Sequence, residues 1–328
     1  MDSAGSVVRV VGGHERAVRA LDDRKPAAIG RDARLELVFE RRGARTIIAH
    51  AYAEPPFRIG HSFAIDDAAY VIVVCAGPGV FAGDTLRQSI RVVPGARVVL
   101  TSQSALQVHP APGAVRPESD SRSDLSQTTV RPRSDHGQTA VRPHGAAVVR
   151  HTYDVDDDGE LHCHWDPVIP FADAALVQEF DLTLHASARL YWSDALMSGR
   201  ASRGEAWRFR ELAHTLRLRV DGALKYLERY RLSPGDGPLP RRWVADDANY
   251  FATTLVHHER ATADESEALH RHLEMMNGVR AAVDLLEPRL IGARIMASNG
   301  AAFGAARAAI RASLLDSVFQ KAALAGRK

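Results

Sequence analysis

Cysteine is nearly absent: Cys75 and Cys163 are the only two in 328 residues. Two thiols cannot build the disulfide framework of a small secreted domain. Aromatic residues make up only 6% of the chain, which argues against a carbohydrate-binding solenoid with aromatic ladders. Charge of one sign is also lacking. The 42 Lys and Arg against 40 Asp and Glu leave a formal +2, and the signs are interspersed. Nucleic-acid binders usually gather a basic excess on one face, so no nucleic-acid partner is expected. No apolar run reaches the roughly 18 residues of a membrane span. The N-terminal MDSAGSVVRVVGGHERAVRA has no apolar centre of the signal-peptide kind. Gly-x-Ser-x-Gly, His-Glu-x-x-His and Cys-x-x-Cys do not occur. These absences leave a soluble, cytoplasmic, globular protein as the expectation, without choosing an activity.

What is present is a succession of strand signals. Leu35, Leu37 and Phe39 alternate with charged residues, Tyr70 to Cys75 is continuously apolar, and Leu86 to Val93 alternates again before Pro94-Gly95. Period-two alternation, β-branched residues and frequent Pro/Gly turns predict many short strands. Further strands are expected over 147–155, 160–165, 175–185, 190–192, 207–213, 215–220, 223–232 and 250–258. Asp157-Asp158-Gly159 reads as a hairpin turn. Residues 281–286 and 290–296 read as a second hairpin around Glu287-Pro288-Arg289. Thr262-x-x-Glu265 is a capping box that opens a helix carrying Leu269, Leu273 and Met276. Ser298-Asn299 opens another, with Phe303, Ile310, Leu314 and Val318 facing inward. Residues 1–32 read as a poorly ordered N-terminal extension. Residues 111–145, rich in Pro, Ser, Arg, Asp, Gln and Thr, read as a low-complexity disordered insertion carrying His136 and His144. Pro234 to Pro240 looks like a linker. The absence of long helices alternating with strands disfavours Rossmann and TIM architectures.

Four segments bear on chemistry. Gly77-Pro-Gly-Val-Phe-Ala-Gly83-Asp84 lacks the Gly-Lys-Ser/Thr ending of a phosphate loop and reads as a strand-to-strand turn. His162 and His164 would share one face of a strand, with Cys163 on the other. With Asp166 they are either a metal-ligand set for a metal-dependent hydrolase or half-exposed strand residues. Asp166-Pro167-Val-Ile-Pro170-Phe171 has two prolines that exclude a central strand. It either shapes an interface, presents Asp166, or is a plain corner. Ser198-Gly199-Arg200-Ala-Ser-Arg203-Gly204-Glu205 is either an ion network, an interface, a polar passage or a surface loop.

Taken in order, several pieces resemble the UreD (UreH) family of urease accessory proteins. They are Gly43-Ala-Arg45-Thr46, Glu54-Pro-Pro56-Phe-Arg58, the turn ending Gly83-Asp84, Val93-Pro-Gly95-Ala and Thr101-Ser-Gln103-Ser-Ala105. Asp166 to Phe171 follows, then Trp192 through Ser198-Gly199-Arg200 and Arg203-Gly204-Glu205. The resemblance covers about residues 33–110 and 147–325, and it implies a UreD-like domain over 33–325 interrupted by the insertion. It implies a mainly β, elongated, β-helix-like body of many short strands with a few helices, mostly C-terminal. It also implies a non-enzymatic role as a urease maturation chaperone. The implied partners are a UreF-like helical accessory protein, a UreG-like GTPase and apo-urease, joined in a dimer of heteromers. No tightly bound cofactor is implied; Ni²⁺ is transient cargo and GTP acts only through the GTPase. A cation conduit must bind weakly enough to release, which suits isolated carboxylates better than a closed cage. Asp84, Asp166 and Glu205 are therefore the candidate nickel-passage carboxylates. Arg45, Gly83, Pro170, Gly199, Arg200, Arg203 and Gly204 are the candidate interface or structural residues.

Overall fold

A computed structural model describes residues 31–110, 145–236, 245–321 and 324. The proposed N-terminal extension up to residue 30, nearly all of the proposed insertion, and most of the Pro234–Pro240 stretch lie outside the described residues.

Two sheets dominate. The first has seven strands: β1 (Asp32–Arg42), β2 (Arg45–Ala53), β6 (Thr85–Val92), β9 (Ala147–Val155), β12 (Ala175–Leu184), β14 (Glu211–Val220) and β15 (Ala223–Leu232). Their spatial order is β15-β14-β12-β9-β6-β1-β2. The second contains β3 (Phe57–Ile59), β5 (Ala68–Cys75), β7 (Arg97–Ser102), β10 (Glu160–His164), β13 (Arg189–Met197), β16 (Tyr250–His257), β17 (Val279–Glu287) and β18 (Leu290–Ala297). These run β17-β18-β16-β13-β10-β7-β5-β3. Short strands β4 (Phe63–Ile65), β8 (Leu106–Val108) and β11 (Val168–Pro170) attach to the second sheet.

The chain winds between the sheets rather than within one. It passes from β6 to β7, from β9 to β10 and from β12 to β13, each time changing sheet. Consecutive windings stack in parallel: β6 on β9, β9 on β12, and β7 on β10 on β13. The small strands stack likewise, β8 on β11. The corners stack too, with Gly95 N–H donating to Asp157 O over 2.9 Å. This winding is β-helix-like, in line with the mainly β expectation. Antiparallel pairs β1–β2 and β14–β15 close the ends of the first sheet.

Burial explains the two styles of strand sequence. The first sheet has one face on the core, so β14 alternates half-exposed and buried positions along its length. The middle strands of the second sheet, β5, β7, β10 and β13, are covered on both faces. Val71 and Val73 of β5 enter the core between the sheets, whereas Tyr70 enters a second core on the far side. A strand covered on both faces reads as a continuous apolar run. Helices α1 (Ala263–Glu274) and α2 (Gly300–Ser317) cover that far side, contributing Leu269, Leu273, Phe303, Ile310 and Leu314. Both begin as expected, with Thr262 accepting from Glu265 N–H and Asn299 accepting from Ala302 N–H.

Four expectations are corrected. The prolines of Asp166–Phe171 do not exclude a central strand: Val168–Pro170 forms β11 between β8 and β13, with Pro170 at its end, beyond the Val168–Leu196 pairing to β13. Asp157-Asp158-Gly159 is not a hairpin turn but an arch that carries the chain from β9 in one sheet to β10 in the other. A turn dipeptide fixes the local reversal, while the sheet joined next is chosen by long-range pairing. The strand expected over 207–213 begins only at Glu211; Trp207 adopts a left-handed φ of 58° and closes the preceding loop. The strand expected over 190–192 runs on to Met197. Its polar residues Ser193 and Asp194, which suggested an end, are buried and paired in register with β16.

A candidate passage between the sheets

Asp84 closes the glycine turn between β5 and β6. Its Oδ1 accepts from the Arg31 amide and its Oδ2 from the Phe81 amide, both over 2.8 Å. Gly83 takes a φ of 89° there and donates its N–H to Ala146 O. Asp84 is therefore buried and holds a backbone corner. Glu205 meets Arg200 in a bidentate pair, Nε to Oε2 over 2.7 Å and Nη2 to Oε1 over 2.5 Å. The Arg200 hydrogen bond, opposed by burial, holds the Glu205 carboxyl below its ordinary value. The Arg200 guanidinium also lies 3.9 Å from the centre of the Phe171 ring. Gly199 makes this loop possible. Its φ is 130°, and a Cβ there would lie 2.4 Å from Glu205 O and 3.1 Å from Pro170 O. Gly204, at φ 72°, ends the short turn that contains Arg203. Arg45 is exposed at the start of β2, opposite Arg42.

Asp166 stands differently. It follows β10 and lines a cavity of about 120 Å³ between the sheets, together with Ser102, Cys75, Gln88 and His151. The Asp166 amide donates to Ser102 Oγ over 2.8 Å, and that hydroxyl donates to Asp166 Oδ2 over 3.0 Å. A second cavity, of about 630 Å³, lies alongside. The two share Gln178, Asp194 and Ala195 as lining. The three candidate carboxylates are thus not brought together: Asp166 lines a cavity, and Asp84 and Glu205 line neither of these two.

Asp194 is the carboxylate that sequence reasoning missed. It sits on β13 between Trp192 and Leu196 on the face directed between the sheets. Burial, reinforced by the Glu228 charge and opposed by Arg307 and Arg294, raises its carboxyl to about 8. The signal was a lone carboxylate inside Leu190-Tyr-Trp-Ser-Asp194-Ala-Leu-Met197, an otherwise mostly apolar strand. Neighbouring imidazoles are kept neutral, His151 by burial and His214 by burial and the Arg294 charge, each lowered to about 3. Burial also pushes the Cys75 thiol up to about 11, which leaves little thiolate for metal or nucleophilic chemistry.

The hydrolase arrangement does not form. His162 is buried and its Nε2 lies 2.7 Å from Glu160 Oε1, which also takes Lys321 Nζ. Asp166 is held by Ser102 instead. Among the described residues no three His, Cys, Asp or Glu side chains gather as a metal-holding group.

Parallel windings and arch corners enclose two cavities, the smaller lined by Asp166 and Asp194 and the larger by Asp194 and Glu228. The sequence profile of the family described as "UreD urease accessory protein" matches residues 31–327, and the chain belongs to that family. A protein named urease accessory protein UreD from Sorangium cellulosum is 31% identical over 234 residues, covering 71% of this chain and 64% of that one. Urease accessory protein UreD 2 from Streptomyces griseus is 29% identical over 300 residues, 87% of this chain and 89% of that one. A third, from Trichodesmium erythraeum, is 31% identical over 170 residues, 51% of this chain and 50% of that one. The match thus spans about half to two thirds of the Trichodesmium and Sorangium proteins. Among the described residues, no helix is long and apolar enough to cross a membrane.

Proposed function

We propose that this protein is a urease maturation chaperone. It acts as the scaffold subunit of an assembly with a UreF-like helical protein and a UreG-like GTPase, and that assembly delivers nickel into apo-urease. Membership of the urease accessory family over residues 31–327 carries this reading. GTP hydrolysis belongs to the GTPase, and Ni²⁺ is cargo rather than a resident cofactor.

The nickel route in this proposal runs between the sheets, past Asp166 into the smaller cavity. Ni²⁺ binds imidazole, carboxylate and thiolate with high intrinsic affinity. A route that must release it works best with one ionised carboxylate at a time and water for the rest of the shell. Asp166 stands on that wall, the protonated Cys75 thiol is a poor ligand, and neutral His151, though a competent one, gathers with no metal-holding group among the described residues. Asp84 and Glu205 enter the proposal as supports of the walls, fixing the β5–β6 corner and the Arg200 loop.

Deletion of the gene tests the function. Urease activity and nickel content should fall together and return on complementation. In the same strain Asp166→Leu should reduce nickel per urease while the accessory assembly still co-purifies. Full nickel loading in a deletion strain with no second homologue would remove the proposal.

A further inference from the structure

The larger cavity has a chemistry of its own. It lies where the outer strands of the two sheets, β15 and β17, come side by side without pairing; Lys225 Nζ and Glu287 Oε2 bridge them over 2.6 Å. Its walls include Trp207, Phe251, Leu196, Leu232 and Ile295. The Trp207 and Phe251 rings meet edge to face with centroids 5.5 Å apart.

Its charged groups are mostly satisfied. Glu228 Oε2 accepts from Tyr226 and Thr253 hydroxyls, each over 3.0 Å, and Oε1 lies 3.3 Å from Arg294 Nη2. Arg280 is paired with Asp246 over 3.0 Å and Asp247 over 3.3 Å. Asp194 is the exception. Its Oδ1 is buried with no hydrogen-bond partner among the described residues. Its Oδ2 lies 3.9 Å from His214 Nε2, beyond a hydrogen bond. His214 turns its Nδ1 to Gln178 Oε1 over 3.2 Å and stacks on Tyr230.

A buried carboxyl whose Oδ1 has no partner among the described residues keeps its proton at neutral pH, and a cation that pairs with it favours the ionised form. A hydrated divalent ion would find few polar partners against these walls. A single organic cation finds both parts of its complement: a carboxylate for the head, and aromatic and aliphatic surface for the body. The volume, about 630 Å³, is in the range of small-molecule sites. We propose that this cavity is a binding site for an organic monocation, a primary alkyl- or arylalkylammonium whose nitrogen pairs with Asp194 and whose body lies against Trp207 and Phe251. The site does not depend on the nickel reading, although Asp194 borders both cavities.

Titration calorimetry on the full chain at mildly alkaline pH, where Asp194 can ionise and the ammonium keeps its charge, tests this with phenethylammonium and its uncharged counterpart 2-phenylethanol. The ammonium should bind at least about tenfold more tightly, as a charge-assisted pair demands. Asp194→Asn should remove that advantage and leave the alcohol unchanged. Trp207→Leu, on the wall, should weaken both probes alike, and it serves as a second variant if Asp194→Asn does not fold. Equal affinity of the two probes, undiminished ammonium binding by Asp194→Asn, or no saturable binding of the ammonium would each overturn the proposal. So would Asp194-dependent binding of Ni²⁺ without binding of the ammonium, which would assign the cavity to the metal.

Discussion

Ser102 and Asp166 hold each other from both ends: the Asp166 amide donates to Ser102 Oγ over 2.8 Å, and the hydroxyl donates back to Asp166 Oδ2 over 3.0 Å. The exchange ties β7 to the segment after β10 and fixes the direction of a carboxylate on a cavity wall. Ser102→Ala removes both bonds while leaving the carboxylate in place. We expect a stability loss of about 1–2 kcal/mol, read from denaturant unfolding. Nickel delivery in a reconstituted assembly should fall without loss of partners, since the carboxylate is no longer aimed.

Asp84 separates support from transport. Its two oxygens each accept a backbone N–H, and hydrogen bonds to a charged group are worth about 1.5–3 kcal/mol. Asp84→Ala should therefore lower the unfolding free energy by at least about 2 kcal/mol and reduce the yield of the assembly. Asp166→Ala, which loses the bond from Ser102 Oγ, should cost less stability, leave the yield of the assembly unchanged and reduce nickel content. A normal melt for Asp84→Ala with selective loss of nickel delivery would return Asp84 to the passage.

Asp194 gives the fold an unusual pH dependence. Its carboxyl, raised from 3.8 to about 8 by burial, holds a proton in the folded chain that the unfolded chain has already released. Between those two values the unfolded state binds fewer protons, so this group makes stability fall as pH rises, by up to about 1.4 kcal/mol per pH unit. Asp194→Asn should flatten this slope, leaving the protein more stable than the parent at mildly alkaline pH and little changed in acid. Urea unfolding across that range reads the difference; parallel curves for the two proteins would refute it.

Glu160 acts in the opposite sense. Burial works to raise its carboxyl, but the His162 hydrogen bond and the charges of His162 and Lys321 outweigh it and hold the group well below 4.5. Its stabilisation is present above the unfolded value and is lost as pH falls toward the folded one. Glu160→Gln strips His162 and Lys321 of a buried charge partner and should cost about 3 kcal/mol. It should also remove part of the acid-side loss of stability. A thermal melt series from neutral to acid pH tests both.

Gly199→Ala places a Cβ 2.4 Å from Glu205 O at a φ of 130°. Backbone strain of this kind costs about 1–3 kcal/mol before the clash is counted. The Arg200–Glu205 loop should open, and the melting temperature should drop. Gly204→Ala, where nothing lies within 4 Å of the added atom, should cost less.

Much of the fold was legible because its local rules are strong. The alternation of Leu35, Leu37 and Phe39 places β1 with those residues inward, and all three are buried. Thr262 and Asn299 cap the two helices, since a side-chain oxygen at that position answers a free helix N–H. The site was less legible. Asp84, Asp166 and Glu205 occupy similar Gly- or Pro-shaped corners in the sequence, yet of the three only Asp166 lines either of the two cavities described above. Asp194 sits in no corner at all. Whether a carboxylate meets backbone amides, an arginine or an empty space depends on segments tens of residues away, such as Arg31 for Asp84 and Glu228 for Asp194.

The order of residues by itself determined that this chain makes many strands and two capped C-terminal helices, because alternation, turn chemistry and capping act over a few residues. It also determined the family, through short segments kept in sequence. Only the tertiary structure decided that Asp157-Asp158-Gly159 turns between sheets, that the outer strands part around a cavity, and that Asp194 Oδ1 stands there with no partner among the described residues. Those outcomes depend on which distant strands pair and on where packing fails to close, and neither is written in any local stretch.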